Sequence, residues 1–364
     1  MSKQLSLFPD ELTRERILPV IGEQSDIRYF ATRARSVLNN PGITGFDGFW
    51  SINPYVGCAF GCAYCYARYA HRYALERALA ADPAHPDLQQ LSRDLPPWLA
   101  FERAIVVKRN AADVLARALM HGPARLGELA RGHRIVIGTA TDPYQPAERR
   151  FAVTRGILEV LSRHPNLRVV IITKSPLVTR DVDLLSRLGR HSRVEVHVSL
   201  ITVDRELARR IEPRAPTPEA RLRAIVRLHA AGIAVRVNAM PVLPGITDGA
   251  AQLDALVAQV KRAGADCIVA GSLALRSTAR QRYLPFIQAE FPELAARYRA
   301  TFAHGHAMGQ RYRDGLKQRM RELCEHHGLR YGSDDADADT AASPPDAPLA
   351  LSGYALMPVT RRTQ

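Results

Sequence analysis

The sequence predicts an α/β fold, a partial (β/α)6-type barrel with a C-terminal helical extension and flexible termini. Short β-branched runs alternate with helical patterns along most of the chain, and polar residues directly follow the predicted strands. Both chain ends lack hydrophobic periodicity. Repeated βα units build a parallel sheet, and such barrels place their active site at the carboxyl ends of the strands. A doubly wound sheet is the competing topology.

The predicted strands are short and rich in Val and Ile. They cover residues 49–52, 104–108, 134–138, 168–172, 193–200, 234–240 and 266–270. Helical patterns fill the intervals at about residues 66–80, 110–119, 150–163, 177–188, 217–231 and 249–263. Several of these helices begin at Pro, Thr or Asp and end near Gly, which are ordinary helix boundaries.

These elements divide the chain into four predicted parts. Residues 1–25 form a flexible N-terminal segment, and residues 26–275 form the barrel, with a Pro-rich insertion at 81–100. Residues 276–332 form the helical extension, which carries aromatic and basic residues. Residues 333–364 are rich in Asp, Ala and Pro and are expected to be disordered.

Composition excludes several classes of protein. The chain has 364 residues and 46% hydrophobic content, and no apolar run approaches the ~20 residues of a membrane-spanning helix. Five cysteines, three of them within one short stretch, and no apolar run near the N-terminus argue against secretion and a disulfide framework. A reducing, cytoplasmic location is therefore expected.

The charge is strongly positive, at +14. Because the tail after residue 332 carries five aspartates against two arginines, the rest of the chain is near +17. Such a charge favours a polyanionic partner, and nucleic acid, DNA in particular, is the natural candidate. The alternative is a compositional bias towards arginine, since five of the 50 basic residues are lysine.

Three cysteines, Cys58, Cys62 and Cys65, fall within eight residues. Thiolates are soft ligands that select zinc, copper(I) or iron–sulfur clusters, and a closed zinc site takes four protein ligands. Three thiolates on one loop leave one coordination position open for a reactive group. The alternative is a structural zinc site completed by His71 or by a distant cysteine.

The spacing Cys-x3-Cys-x2-Cys, with Tyr64 before the last cysteine, resembles the signature of the radical S-adenosylmethionine (SAM) superfamily. The resemblance implies a [4Fe–4S] cluster on Cys58, Cys62 and Cys65 whose open iron binds SAM. Electron transfer from the cluster would then cleave SAM to a 5′-deoxyadenosyl radical. It also implies an electron donor such as flavodoxin or ferredoxin.

Polar residues at the predicted strand ends supply candidate contacts. Lys174 can neutralise the methionyl carboxylate of SAM, and Ser199 and Asn238 can hydrogen-bond its ribose or its amino acid moiety. Asp142 is a candidate catalytic acid or base, or alternatively the start of an Asx turn before Pro143.

Longer segments resemble one subgroup, the spore photoproduct lyase-like proteins often called DNA repair photolyases. They are Ser51-Ile-Asn-Pro-Tyr-Val-Gly-Cys, Thr139-Ala-Thr-Asp-Pro-Tyr-Gln-Pro-Ala-Glu, Thr173-Lys-Ser and Glu212-Pro-Arg-Ala-Pro-Thr-Pro-Glu-Ala-Arg-Leu. The resemblance implies that Thr141, Lys174 and Ser199 contact SAM and that Tyr64 lies against adenine. Spore photoproduct lyases carry a hydrogen-donating Cys where this loop has Thr139 and Ala140, so a spore photoproduct lyase proper is not expected.

The N-terminal segment Gln4-Leu5-Ser6-Leu7-Phe8 resembles the peptide by which bacterial repair proteins dock on the sliding clamp. Its apolar side chains can fill a pocket of the clamp, or alternatively anchor the N-terminus to the barrel.

The function expected from these features is a radical SAM enzyme, lyase-like or transferase, that abstracts a hydrogen atom from nucleic acid in DNA repair or base modification. Two alternatives stay open. One is a radical SAM enzyme acting on a peptide or small metabolite, and the other is a non-catalytic DNA- or clamp-binding protein with a structural metal site.

Overall fold

Two β-sheets organise the described part of the chain, which is residues 20–24, 26–41, 48–68, 89 and 95–332 of a computed structural model. The strands, numbered along the chain, are β1 (Val20–Gln24), β2 (Ile27–Thr32), β3 (Leu38–Asn39), β4 (Phe49–Ile52), β5 (Tyr55–Val56), β6 (Ala104–Lys108), β7 (Arg134–Ile137), β8 (Arg168–Thr173), β9 (Arg193–Ser199), β10 (Ala234–Val242), β11 (Cys267–Ser272) and β12 (Arg330–Tyr331).

The larger sheet has eight strands in the order β12-β11-β10-β9-β8-β7-β4-β3. Neighbours from β4 to β12 are parallel, and β3 pairs antiparallel with β4. A doubly wound sheet reverses its strand order at a switch point, whereas here the order follows the sequence from one edge to the other. The predicted partial barrel is therefore confirmed.

The smaller sheet has the order β1-β2-β6-β5 and corrects one expectation. Strand β6 was predicted as the second strand of the barrel, but it pairs with β2 and β5 instead. All five of its residues are buried, and a continuous buried run identifies a strand without saying which sheet it joins. Strand β1 lies within the segment expected to be flexible, and residues 1–19 lie outside the described residues.

Helices cover the outside of the larger sheet. Numbered from the first described one, they are α1 (Pro97–Arg103), α2 (Ala111–Met120), α3 (Pro123–Ala130), α4 (Pro146–Phe151), α5 (Val153–Leu161), α6 (Val182–Gly189), α7 (Arg205–Ile211), α8 (Pro218–Ala230), α9 (Ala250–Arg262), α10 (Ser277–Glu290), α11 (Pro292–Thr301) and α12 (Gln310–His326), with a 3₁₀ helix at Pro176–Asp181. The capping residues fit these boundaries: Asp204 accepts from Leu207 N at 3.0 Å, and Thr217 precedes the Pro at the first position of α8. No helix in the described ranges is long and apolar enough to cross a membrane.

The C-terminal elements α10 to α12 fall within residues 276–332, where a helical extension was predicted, and β12 follows them. Aromatic residues of α10 and α11, among them Tyr283, Phe286 and Tyr298, pack in one buried cluster with Phe60 and Tyr64 of the cysteine loop. The extension therefore covers the candidate site. The predicted helix 66–80, most of the insertion 81–100 and the tail 333–364 lie outside the described residues.

The turn after β7 requires a glycine at position 138. Gly138 has φ +97°, and a Cβ added there would lie 2.6 Å from Pro143 Cδ and 2.7 Å from Ile172 O. We expect Gly138→Ala to lower the free energy of unfolding by about 2–4 kcal/mol, because backbone strain and overlap add. Gly189→Ala is the control, since a Cβ at Gly189 meets nothing within 4 Å. Equal stability of the two variants in urea titrations would contradict the close approach seen at Gly138.

Candidate active site

The cysteine loop follows β4 at the carboxyl edge of the larger sheet and is tied to the loop after β7. The carbonyl oxygen of Gly57 accepts from Thr141 Oγ1 at 2.6 Å and from Gln145 Nε2 at 3.0 Å. Gln145, fully buried, also accepts from Ala59 N at 2.9 Å. The hydroxyl proton of Thr141 is therefore used in the hydrogen bond to the cysteine loop. Its expected contact with SAM stays a prediction that would use the hydroxyl oxygen.

A second set of contacts holds the other side of the loop. Arg68 is fully buried and donates to Cys62 O at 2.6 Å and to Trp98 O at 2.5 Å. It also forms an ion pair of 2.5 Å with Glu102, which Arg214 joins at 3.0 Å. A buried arginine with several backbone partners fixes the loop firmly, because its displacement would leave charges unpaired away from water.

Cys58 and Cys62 are buried and Cys65 is partly buried, among apolar side chains and beside the charged groups of Arg68 and Lys174. Burial raises the pKa of Cys58 well above its usual value, raises that of Cys62 to about 12 and raises that of Cys65. Metal ligation requires thiolates, so cluster binding must release these protons. In the described ranges, no three His, Cys, Asp or Glu side chains are placed to hold a single metal ion, and His71 lies outside those ranges. Three soft donors on one clamped loop suit an iron–sulfur cluster.

A buried charge network lies directly beside the loop. Glu212 accepts hydrogen bonds from the Tyr64 hydroxyl and from Arg221, and its carboxylate lies 3.8 Å from Lys174 Nζ. The Lys174 ammonium also lies 5.7 Å from the centroid of the Tyr64 ring. Burial alone would lower the pKa of Lys174, but Glu212 and Cys62 outweigh it and the net shift is upward. Lys174 is therefore held as a cation next to the cysteines.

Sequence reasoning gave no role to Glu212 or Arg221, although a signal was present. Arg221 is fully buried on α8, where it shares one helix face with Ala224, Ile225 and Leu228. An arginine on the apolar face of a helix needs a buried partner, and Glu212 is that partner. Arg221 also donates to Ser199 O at 3.0 Å, so the network reaches the end of β9.

The predicted contacts Lys174, Ser199 and Asn238 lie on three neighbouring strands: Lys174 follows β8, Ser199 ends β9, and Asn238 lies within β10. Ser199 pairs with Asn238 across β9 and β10, and Thr173, just before Lys174, pairs with Val198. Asn238 Oδ1 is buried and has no hydrogen-bond partner among the described residues. The strand register therefore places Ser199 beside Asn238, while the predicted contacts of these residues with SAM stay predictions.

Asp142 was predicted as a catalytic acid or base, with an Asx turn as the alternative, and the structure shows the contacts of its carboxylate. Its carboxylate accepts from Tyr144 N at 2.9 Å, from Thr173 Oγ1 at 2.7 Å and from Lys174 N at 2.7 Å. The first of these bonds is the Asx turn named as the alternative. Burial raises the pKa of Asp142 against the opposing effect of these bonds. Asp142 joins the loop after β7 to the end of β8, which positions Lys174.

Cys267 lies at the wrong edge of the sheet to react at this site. It is the first residue of β11, and its register partners are Arg236 and Arg330. The cysteine loop lies at the opposite, carboxyl edge of the same strands. Cys267 is buried and behaves as a small core residue.

Lys108 is a buried lysine beside the start of the cysteine loop. Its Nζ donates to Asn53 O at 2.7 Å, and the Asn53 side chain donates to Thr139 Oγ1 at 3.0 Å and accepts from Ala140 N at 2.8 Å. Burial lowers the pKa of Lys108 to about 8. Lysine is charged up to about pH 10.4 in an unfolded chain, so folding disfavours its charged form.

This shift predicts a pH dependence of stability. Between pH 8 and about 10.4 the unfolded chain binds a proton at Lys108 that the folded protein does not, so the free energy of unfolding rises with pH. Relative to Lys108→Met, the wild type should gain about 3 kcal/mol over this interval. Urea titrations at several pH values measure the difference, with Lys317→Met as the control for loss of one lysine. A constant difference across the interval would show that Lys108 titrates normally.

Comparison with known proteins agrees with this geometry. The model of the radical SAM superfamily matches residues 52–256. An uncharacterised protein of Mycobacterium tuberculosis H37Rv is 33% identical over 318 residues, which cover 87% of this chain and 86% of the relative. An uncharacterised protein of Methanocaldococcus jannaschii is 28% identical over 224 residues, which cover 62% of this chain and 71% of the relative.

Solved structures of spore photoproduct lyase share the fold. The lyase complexed with dinucleoside spore photoproduct has a TM-score of 0.58 at 15% identity, with 87% of each chain covered. A lyase variant with bound AdoMet and the same dinucleoside has a TM-score of 0.57 at 16% identity, again with 87% of each chain covered. The chain therefore belongs to the radical SAM superfamily, and the protein is a radical SAM enzyme whose cofactors are a [4Fe–4S] cluster and S-adenosylmethionine.

Proposed function

We propose that the protein reductively cleaves SAM at a [4Fe–4S] cluster held by Cys58, Cys62 and Cys65, and that the resulting 5′-deoxyadenosyl radical abstracts a hydrogen atom from a nucleic acid. The observation that carries this proposal is the position of the cysteine loop. It lies at the same sheet edge as Lys174, Ser199 and Asn238, on the carboxyl ends of adjacent parallel strands. Barrels of this type bind their ligands at that edge.

The residues of the site have separate roles in this proposal. Lys174 neutralises the carboxylate of SAM, and the nearby Glu212 keeps it charged in a buried environment. Ser199 and the partnerless carbonyl of Asn238 offer a hydroxyl and an acceptor for the polar part of the cofactor. Tyr64 donates its hydroxyl proton to Glu212 and so helps to hold the charge network in place. These groups bind and orient the cofactor, while the cluster and SAM supply the radical chemistry.

A nucleic-acid substrate is supported by charge and by fold. The chain carries a net charge of +14, and the structurally similar lyase is described in complex with a dinucleoside photoproduct. The reaction differs from that of a spore photoproduct lyase in its last step, because Thr139 and Ala140 supply no thiol. Repair or modification of a base with another hydrogen donor fits both observations.

The proposed partners include the sliding clamp. The segment Gln4 to Phe8 lies outside the described residues, and docking through it is proposed from its sequence alone. Flavodoxin or ferredoxin is proposed as the electron donor. Direct binding experiments with the sliding clamp and with the electron donor test both proposed partners.

Isotope transfer tests the function. Anaerobically reconstituted protein is incubated with reductant, SAM and DNA isolated from cells grown in deuterated medium. The proposal predicts 5′-deoxyadenosine that carries deuterium, because hydrogen abstraction moves the label from substrate to cofactor. Absence of 5′-deoxyadenosine would refute the radical mechanism. Product that gains deuterium from a labelled extract of peptides and metabolites, and none from DNA, would assign the substrate to that class instead.

A further inference from the structure

A groove runs beside helix α12, between it and the start of α9, and encloses about 360 Å³. Arg311, Gly315 and Arg319 lie along it at intervals of four residues, so they share one face of the helix. A Cβ added to Gly315 would meet nothing within 4 Å, which leaves the floor between the two arginines open. Both arginine side chains are exposed, and neither has a partner among the described residues.

One end of the groove lies at the carboxyl edge of the larger sheet, because Asp248 belongs to the loop that follows β10. At this end of the groove, Asp248 accepts a hydrogen bond from Tyr312 OH at 2.9 Å. The other oxygen of Asp248 accepts from Gly245 N at 2.7 Å. The Asp248 carboxylate is thus hydrogen-bonded to neutral donors. The two arginines and this one aspartate give the lining of the groove a net charge of +1. Anions are the chemical class that this groove favours.

The separation of the arginines decides which anion fits. Eight residues of α-helix span about 12 Å, so the two extended side chains can present their guanidinium groups at separate points along the groove. A nucleic-acid strand carries one charged phosphate per nucleotide, so a strand that lies along the groove offers separate phosphates to the two arginines. A continuous phosphodiester chain therefore matches the groove better than a free nucleotide or inorganic phosphate.

We propose that the groove lined by Arg311, Gly315 and Arg319 binds the phosphodiester backbone of a nucleic acid whose target residue enters the barrel at the neighbouring edge. The inference rests on the nucleic-acid substrate proposed above and names the surface that holds it. Contacts of this kind position a strand without reading its sequence. They also make binding strongly dependent on salt, because each contacted phosphate releases counterions.

Two sets of variants of the full-length holoprotein test the groove by fluorescence anisotropy with labelled single-stranded and duplex DNA. Arg311→Gln/Arg319→Gln should make the negative slope of log K against log salt less steep by about 1.4 to 1.8, the value for two phosphate contacts. The control Arg190→Gln/Arg262→Gln removes two exposed arginines from helix ends near the amino edge of the sheet and should leave the slope unchanged. Gly315→Glu should weaken binding at least roughly tenfold relative to the isosteric Gly315→Gln, since it sets a carboxylate between the arginines.

The outcomes separate the two proposals. If the wild type binds DNA and the groove variants match it in slope and affinity, the groove is wrong and the proposed substrate class stands. If the wild type binds neither form of DNA, both the groove and the nucleic-acid substrate are wrong. If polyglutamate of matched charge competes as well as unlabelled DNA, the groove recognises acidic polymers in general, which contradicts the proposal. Formation of 5′-deoxyadenosine without substrate should be equal in all variants.

Discussion

Replacing Cys62 with Ala is expected to remove the cluster and to reduce 5′-deoxyadenosine formation to background. Even loss of an outer-shell partner typically costs 10- to 100-fold in metal affinity or activity, and loss of one of three thiolates should cost more. Cys62 is buried on the clamped loop, where no other described cysteine can replace it, since Cys267 and Cys324 belong to β11 and α12. Iron and sulfide content, visible absorbance and 5′-deoxyadenosine yield measure the effect.

The control for this prediction is Cys324→Ala. Cys324 is equally buried but lies on α12, so its loss should leave iron, sulfide and 5′-deoxyadenosine unchanged. DNA binding by the Cys62→Ala variant should also persist, because the proposed groove lies on α12. Parallel loss of cluster and DNA binding would indicate that the loop metal holds the fold together, as in the alternative with a structural site.

Replacing Glu212 with Gln is expected to have the largest effect on stability. The change leaves Arg221 fully buried without its counterion and releases Lys174 from its nearest carboxylate. Breaking a buried ion pair by removing one partner typically costs 3–5 kcal/mol, and about that loss is expected in urea titrations of the metal-free protein. SAM binding should weaken as well, because Lys174 and Tyr64 lose the group that positions them.

The pH dependence of this effect follows from the pKa of Glu212. Burial opposes its ionisation, but Arg221 and Lys174 outweigh burial and hold the pKa below its usual value. The stabilisation is therefore fully present above the unfolded value of about 4.3 and is lost as pH falls through the folded pKa. Glu206→Gln, on the exposed first turn of α7, is the matched control and should change stability by less than about 0.5 kcal/mol. Equal effects of the two substitutions would mean that Glu212 is dispensable.

The sequence was sufficient to predict features that depend on residues close together in the chain. The repeated β/α order predicted the parallel strands that place Ser199 beside Asn238, and the cysteine spacing predicted the family. It was insufficient where a residue acts through a distant partner. Gln145 donates to Gly57 O across 88 residues and accepts from Ala59 N across 86 residues, and nothing in the local sequence at either end indicates these bonds.

One error has this physical origin, and one prediction gains a structural context from it. Strand β6 has the buried pattern of a barrel strand, yet it pairs with β2 and β5 in the smaller sheet. Asp142 accepts hydrogen bonds from Thr173 and from the backbone of Lys174, both distant in sequence, and its catalytic role stays a prediction. In both cases the local sequence indicated a buried strand or a polar loop residue, but the contacting partners are distant in sequence and depend on the fold.

The double anchoring of the cysteine loop bears on how the protein acquires its iron. Thr141 and Gln145 hold one side and Arg68 with Glu102 holds the other, and none of these bonds uses a cysteine thiol. We therefore expect the loop to be able to fold before the cluster is inserted, unlike a zinc finger, whose folding requires its ion. A molecule that has lost its cluster to oxygen should remain folded and competent for reloading, so oxidative damage at this site is repairable without synthesis of a new chain.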